Sequence, residues 1–296
     1  MKRVIVTGGS GVVGRFVVRD LLAHGYDVTI AGRTPSRANF PKEVGHRVFD
    51  LVPETDFSAL VAGFDGLVHA AFSHAEGRYR GGEGADIADF WQRNYVATVR
   101  LFQAAEKAGL RRGVFLSSRA VYDAQPPGIC VDENTPCYPD SHYGAMKLAC
   151  ERHLGQLAAN GKMAIGFLRA TGVYGRASMD DPHKWAELFA DYLAGKTIQP
   201  RCGTEVHGQD LASAVRLMLE LPQDAVSGEA FNVSDLLLDR SELVRIVQRL
   251  TGSPHAPPHA SDPSNLNVAS TAKLAALGWR AGGMPRLEAE IARLIA

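Results

Sequence analysis

The sequence predicts an α/β fold: a Rossmann-type, doubly wound parallel sheet followed by a small C-terminal substrate lobe. Three observations carry this. A glycine-rich turn, Thr7-Gly8-Gly9-Ser10-Gly11-Val12-Val13-Gly14, follows a short apolar run and opens a helical one. Short apolar runs then alternate with stretches of helical periodicity through the first two-thirds of the 296 residues, the pattern of repeated βα units. Two long loops, 72–85 and 123–141, each follow the carboxyl end of a predicted strand, where open α/β sheets bind ligands.

The elements follow in order. Val4-Ile5-Val6 is a first strand and 12–23 a first helix; 28–31 is a second strand, Arg47-Val48-Phe49 a third and Leu67-Val68-His69 a fourth. Apolar residues at helical spacing make 87–108 one long helix. Val114-Phe115-Leu116 is a fifth strand ending at Ser117-Ser118, 143–159 a helix and 164–168 a sixth strand. After Thr171 the pieces shorten, with helices near 184–194, 209–220 and 240–250 and a Pro/His-rich loop over 252–262. The expected division is a dinucleotide-binding domain over 1–175, to which about 203–235 returns, and a lobe over 176–296 that mostly binds substrate.

Composition narrows the function classes. The chain is 46% hydrophobic and 22% charged, with 32 basic residues balancing 32 acidic ones. There is no basic stripe for nucleic acid and no polybasic anchor for a membrane, so the expected partner is a small-molecule substrate. No apolar run approaches the ~20 residues of a membrane span. Cys130, Cys137, Cys150 and Cys202 form no CxxC pair or metal-ligand pattern and read as free, mostly buried thiols; no metal site is expected. Met1-Lys2-Arg3 leads directly into a strand, so no signal peptide is read and the expected setting is the cytoplasm.

The glycine turn is the site of a dinucleotide. Gly8 permits the tight turn, Gly11 lets the backbone approach a pyrophosphate and Gly14 lets helix and strand pack closely. The N–H groups around Ser10, Val12 and Val13 and the positive end of the helix attract phosphate. NAD-binding chains usually carry Asp or Glu at the end of the second strand. Here the strand ends Ile30-Ala31-Gly32-Arg33-Thr34, with no carboxylate, and Arg33 suits a 2′-phosphate; Arg37 adds a second charge. NADP is therefore favoured over NAD.

Tyr143 and Lys147 are four residues apart, on one face of a helix. An ammonium and a cationic nicotinamide beside a phenol stabilise the phenolate, so Tyr143 can exchange a proton with a substrate hydroxyl. A hydroxyl from the Ser117-Ser118 pair at the fifth strand's carboxyl end can bind the substrate oxygen.

These residues resemble the short-chain dehydrogenase/reductase superfamily, in particular its extended, sugar-epimerase-like branch. Further motifs carry the resemblance over nearly the whole chain: Asp50-Leu51, the segment from Asp65 to His69-Ala70-Ala71, Asn94, Ser117-Ser118-Arg119-Ala120-Val121-Tyr122, Leu168-Arg169-Ala170-Thr171-Gly172-Val173-Tyr174-Gly175, Val206 to Ala212, Phe231-Asn232-Val233 and Ala276-Leu277-Gly278-Trp279. It implies that Ser118, four residues before Tyr122, is the catalytic serine beside Tyr143 and Lys147. It also implies that Asp50, Leu51, Ala70, Ala71 and Asn94 lie against the cofactor, and that the helices over 87–108 and 143–159 form a homodimer interface. His69 is expected to pack rather than react, His74 to be a loop residue, Arg169 to pair within the fold, and Trp91 and Tyr95 to serve core or interface.

Two departures bear on chemistry. Sugar-nucleotide dehydratases carry an Asp-Glu pair where this chain has Arg119-Ala120, which argues against dehydration. Nucleotide-sugar members usually carry an arginine seven residues before the position of Asp210; here it is Gly203, with Arg201 nearby, which favours a free sugar, sugar acid or polyol. The leading expectation is thus an NAD(P)-dependent dehydrogenase/reductase for a small sugar-like or polyol substrate. The alternatives are an NAD-dependent (nucleotide-)sugar epimerase and a non-catalytic NADP-binding regulator.

Overall fold

A computed structural model describes residues 2–35, 40–74, 82–179, 181 and 183–295. Its strands are β1 (Arg3–Thr7), β2 (Asp27–Gly32), β3 (Gly45–Val48), β4 (Gly66–His69), β5 (Arg112–Ser118), β6 (Cys130–Val131), β7 (Ala164–Ala170), β8 (Gly172–Tyr174), β9 (Cys202–His207), β10 (Ala230–Val233), β11 (Leu236–Asp239) and β12 (Val268–Ala269). The helices are α1 (Val12–Ala23), α2 (Phe57–Val61), α3 (Ile87–Trp91), α4 (Ala97–Lys107), α5 (His142–Asn160), α6 (Ala186–Leu193), α7 (Gly208–Glu220), α8 (Gln223–Val226), α9 (Arg240–Thr251), α10 (Ala272–Ala276) and α11 (Gly283–Ile295).

One parallel sheet runs β10-β7-β5-β4-β1-β2-β3. Chain order spreads from β1 in both directions, so β1 and β4 flank the switch point, where a crevice opens at the strands' carboxyl ends. Alternation along each strand feeds two cores. Val4, Val6, Val28, Ile30, Val68 and Val114 face α1 and α7, while Ile5, Ala31, Leu67, Phe115 and Ile165 face α4 and α5. Burial on both faces explains why these strands read as continuous apolar runs.

A small sheet, β11-β9-β8, lies beyond β7, with β8 parallel and β11 antiparallel to β9. Its own core joins Tyr174, Trp185, Phe189, Leu238, Leu243 and Leu287. Within 203–235, α7 and β10 return to the main sheet, whereas β9 is the centre of the small one. Leu274 and Trp279, much later in the chain, also pack into the main-sheet core.

Three sequence expectations change. The helix over 87–108 is not uniform: α3 and α4 are joined by a π-turn, Gln92–Val96. The loop over 123–141 contains β6, paired with β12. Of the four free thiols only Cys150 is fully buried; Cys130 is exposed and Cys137 and Cys202 are half-buried. Among the described residues no helix is long and apolar enough to cross a membrane, and no group of three or more His, Cys, Asp and Glu is placed to hold a metal.

Candidate active site

The glycine turn joins β1 to α1 at the switch point. Gly8 takes a left-handed φ of 70°, and a Cβ there would stand 2.6 Å from the Ala71 nitrogen and 2.7 Å from the Ala70 carbonyl carbon. A Cβ at Gly14 would stand 2.1 Å from the Gly8 carbonyl oxygen. Gly11 starts α1 with no side-chain cap, which leaves the first-turn N–H groups of Val12, Val13 and Gly14 for an incoming anion. Ser10 accepts from Arg15 Nε at 2.7 Å through its carbonyl, which fixes the turn's shape. These groups fit the pyrophosphate of a dinucleotide: backbone donors, a helix dipole and close approach without side chains.

The other residues expected against the cofactor lie as follows. Gly8 N–H donates to Ala31 O at 3.3 Å, and Arg33, exposed, follows the last residue of β2. Arg37 lies outside the described residues. Asp50 follows β3, where it accepts from the Leu51 N–H at 2.9 Å and stands 3.8 Å from Arg93; the Leu51 side chain is core. Asn94 is buried, and its amide is spent on protein: Oδ1 accepts from Ser73 N at 2.8 Å, and Nδ2 donates to Ser73 O at 2.9 Å and Phe90 O at 3.0 Å. It thus shapes the loop after β4 from within the π-turn, a local geometry common at functional sites.

His69 packs rather than reacts. It is buried between Thr7 Oγ1, 2.6 Å from Nδ1, and Thr98 Oγ1, 2.9 Å from Nε2. Thr98 donates its own hydrogen to Asn94 O at 2.7 Å, so Nε2 carries the imidazole proton and Nδ1 accepts from Thr7. Burial, reinforced by the Lys147 charge, holds His69 down at about 3, and it stays neutral.

The proposed acid/base pair stands on α5. Ser141 caps that helix by accepting from Gly144 N at 3.2 Å, and Glu83, from the loop after β4, accepts from Tyr143 N at 3.1 Å. A Cβ at Gly144 would stand 2.4 Å from Ala120 O, so glycine there lets the start of α5 dock on the segment that begins with Ser118. The Tyr143 ring packs edge-on to Phe72, 5.1 Å between centroids. Lys147 is buried one turn on; its Nζ donates to Leu116 O at 2.7 Å and lies 5.8 Å from the Tyr143 ring centroid. Ser118 ends β5, and its Oγ accepts from Ala120 N at 3.2 Å, leaving its hydroxyl hydrogen for another acceptor. Ser117 instead donates inward to Glu151.

Glu151 pairs with Arg169 at 2.6 Å, and Arg169 donates to the Tyr122 hydroxyl at 2.5 Å. Arg169 is thus an internal strut beneath Ser117-Ser118. Tyr122, pushed up to about 12 by burial, stays protonated and can donate to Asp132 O or Asn232 Oδ1, at 3.0 and 3.2 Å. Glu83, and the Phe72 and Phe115 rings around Lys147, were not singled out from the sequence. They come from distant loops and strands, and no local spacing marks them.

Burial lowers Lys147 from 10.5 to about 8. The unfolded lysine therefore holds its proton more tightly, so a destabilising cost is present below pH 8 and lifts as pH rises from 8 to 10.5. That cost is about 3 kcal/mol. Lys147→Met removes it and strands Leu116 O, a loss of about 1–3 kcal/mol. The expected variant is inactive yet no less stable than wild type at pH 7, and its relative stability falls towards pH 10.5. Urea unfolding across that range checks this; a large loss of stability at pH 7 contradicts it.

A cavity of about 450 Å³ opens in the second lobe; its polar lining includes Lys184, Arg201, Glu205 and Arg240. Lys184 and Glu205 are ion-paired at 2.5 Å. The cavity's Gly203 and Glu205 flank Thr204, which accepts from Arg119, the residue after Ser118, at 3.3 Å.

Comparison with known proteins agrees with this geometry. The UDP-glucose 4-epimerase of Corynebacterium glutamicum is 28% identical over 94% of this chain and 90% of its own. A 3-beta-hydroxysteroid dehydrogenase of Mycolicibacterium neoaurum is 30% identical over 65% of this chain and 52% of its own. The crystal structure of the Thermus thermophilus UDP-glucose 4-epimerase in complex with NAD superposes with a TM-score of 0.78 at 27% identity, covering 99% of this chain and 97% of that one. The description "NAD dependent epimerase/dehydratase family" matches residues 4–234, spanning the glycine turn, Ser118, Tyr143 and Lys147. The chain belongs to the NAD-dependent epimerase/dehydratase family, within the extended short-chain dehydrogenase/reductase superfamily.

Proposed function

We propose that the chain catalyses hydride transfer at a secondary hydroxyl or carbonyl of a sugar-like substrate, with Ser118, Tyr143 and Lys147 as its catalytic residues. The observation that carries this reading is the docking of Tyr143 and the buried Lys147 ammonium beside Ser118 at the switch-point edge. A bound nicotinamide ring supplies the hydride acceptor or donor. Lys147 keeps positive charge beneath Tyr143 and favours its phenolate; its two N–H groups not bonded to Leu116 O are donors for a cofactor ribose. Tyr143 takes the substrate hydroxyl proton in oxidation and returns it in reduction. Ser118 hydrogen-bonds the substrate oxygen and holds it on the tyrosine.

Epimerisation, with hydride returning to the opposite face, is supported by the near-full-length likeness to UDP-glucose 4-epimerases and by a cavity roomy enough for a second part of the substrate. Net dehydrogenation is the second reading. It is supported by Gly203, which stands where nucleotide-sugar members usually carry an arginine. Incubation with cofactor and a panel of free sugars, sugar acids and nucleotide sugars separates the two. Isomerised product without net change in reduced-nicotinamide absorbance means an epimerase, and net absorbance change means a dehydrogenase. Neither with any member of the panel overturns the proposal.

The proposed cofactor is NADP, on Arg33 and the lack of a carboxylate at the end of β2. Arg33→Ala is expected to lower kcat/KM for NADP by about ten- to a hundredfold while NAD changes little, on the scale of one charge-assisted hydrogen bond. Equal losses with both cofactors contradict the assignment.

Residues 1–175, with α7 and β10, are proposed to bind the dinucleotide and the remainder mostly to bind substrate. A homodimer is proposed through α3–α4 and α5, supported by half-buried Trp91 and Tyr95, which reach His142 and His153 on α5 at 3.5 and 3.3 Å. Four free thiols favour a cytoplasmic setting.

A further inference from the structure

We infer that Arg119 is a specificity-determining residue that recognises a carboxylate on the substrate, so that the preferred substrate class is an acidic sugar rather than a neutral one. The inference rests on the proposed reaction site at Ser118 and Tyr143.

Arg119 follows Ser118 directly, on the short 3-10 turn that Ser118 caps (Arg119–Tyr122). Its side chain leaves the main sheet and crosses to the second lobe. Nη1 donates to Thr204 Oγ1 at 3.3 Å and to Asn267 O at 3.1 Å; Nη2 donates to Asp123 Oδ1 at 3.3 Å. The guanidinium therefore spans the gap between the catalytic serine segment and the Thr204 face of β9. Asp123 is nearly buried, with 3% of its side chain exposed, while 28% of the Arg119 side chain remains open. The carboxylate thus anchors the arginine and leaves part of its side chain open.

The donor count adds a second argument. A guanidinium has five N–H groups, and these contacts engage both on Nη1 and one on Nη2. Nε–H and one Nη2–H remain, enough donors for an incoming carboxylate. Asp123 takes up part of the guanidinium charge through one Nη2 contact, while Glu205, which flanks Thr204, is paired with Lys184 at 2.5 Å. A lobe clamp alone would need only the Nη1 contacts.

The test uses wild-type protein saturated with reduced cofactor, in which a hydroxylated sugar binds without being oxidised. Calorimetry then compares glucuronate with glucose and galacturonate with galactose. The expected result is at least one hexuronate binding about tenfold or more tightly than its neutral partner, the scale of a charge-assisted pair. Arg119→Gln should bring that ratio to near unity, and Arg119→Lys should keep part of it. If Arg119 only clamps the lobes, acidic and neutral sugars weaken together and the ratio survives the substitution, which overturns the inference. Absent or equal hexuronate binding overturns it too. Turnover is read separately with oxidised cofactor: carboxylate-selective binding without hydride transfer would sink the proposed reaction and leave the recognition intact.

Discussion

Tyr143→Phe is expected to lower kcat by about 10²- to 10⁴-fold with cofactor affinity nearly unchanged, the loss typical of a deleted general acid/base group. The substitution leaves the surroundings in place. The ring still packs edge-on to Phe72, the residue 143 N–H still donates to Glu83, and Lys147 still holds Leu116 O. Only the hydroxyl that carries the proton is gone. The glycine turn, on the other side of the switch point, is untouched. Steady-state turnover and cofactor titration on the same preparation check the split. A variant with undiminished turnover would remove Tyr143 from the chemistry, and one that keeps its biological role without turnover would point to a binding protein instead.

Arg169→Met is expected to destabilise the protein by about 3 kcal/mol, because it leaves Glu151 buried without its ion-pair partner. Both partners are almost inaccessible, at 8% and 5% side-chain exposure, and Arg169 reaches both Glu151 oxygens through Nε at 3.1 Å and Oε2 through Nη2 at 2.6 Å. Without it, Ser117 is the remaining side-chain donor to that carboxylate. Replacing both members, Arg169→Met with Glu151→Leu, should recover a substantial part, since an apolar pair leaves no buried charge. Urea unfolding of the two single variants and the double variant measures the coupling. Additive losses would contradict the strut.

Much of this was legible in the sequence, for identifiable reasons. The start of the fold could be read because Gly8 and Gly14 occupy positions where backbone geometry admits little else. The main strands could be read because burial on both faces makes them uniformly apolar. Tyr143 and Lys147 could be paired because helical spacing puts them on one face. The small lobe was harder. β8, β9 and β11 are three to six residues long with mixed exposure, so neither alternation nor a continuous apolar run marks them. α11 was missed although Leu287 and Ile291 are four residues apart. Its inward face also carries buried Glu290, which accepts from Arg176 N at 2.7 Å and so breaks the apolar stripe. The π-turn around Asn94 changes hydrogen-bond register without changing composition, and nothing in local sequence announces it. Asn94 was expected against the cofactor, but its side chain is committed to Ser73 and Phe90.

The central claim is reversible hydride transfer at a substrate carbon, and isotope tracing tests it most directly. A substrate carrying deuterium on the reacting carbinol carbon is incubated with enzyme and cofactor in ordinary water, and product and cofactor are analysed by mass spectrometry. The account predicts that the deuterium is conserved, either found in the reduced nicotinamide or returned to the same carbon with inverted configuration. Deuterium washed out into water would mean proton abstraction from carbon, and would contradict the account.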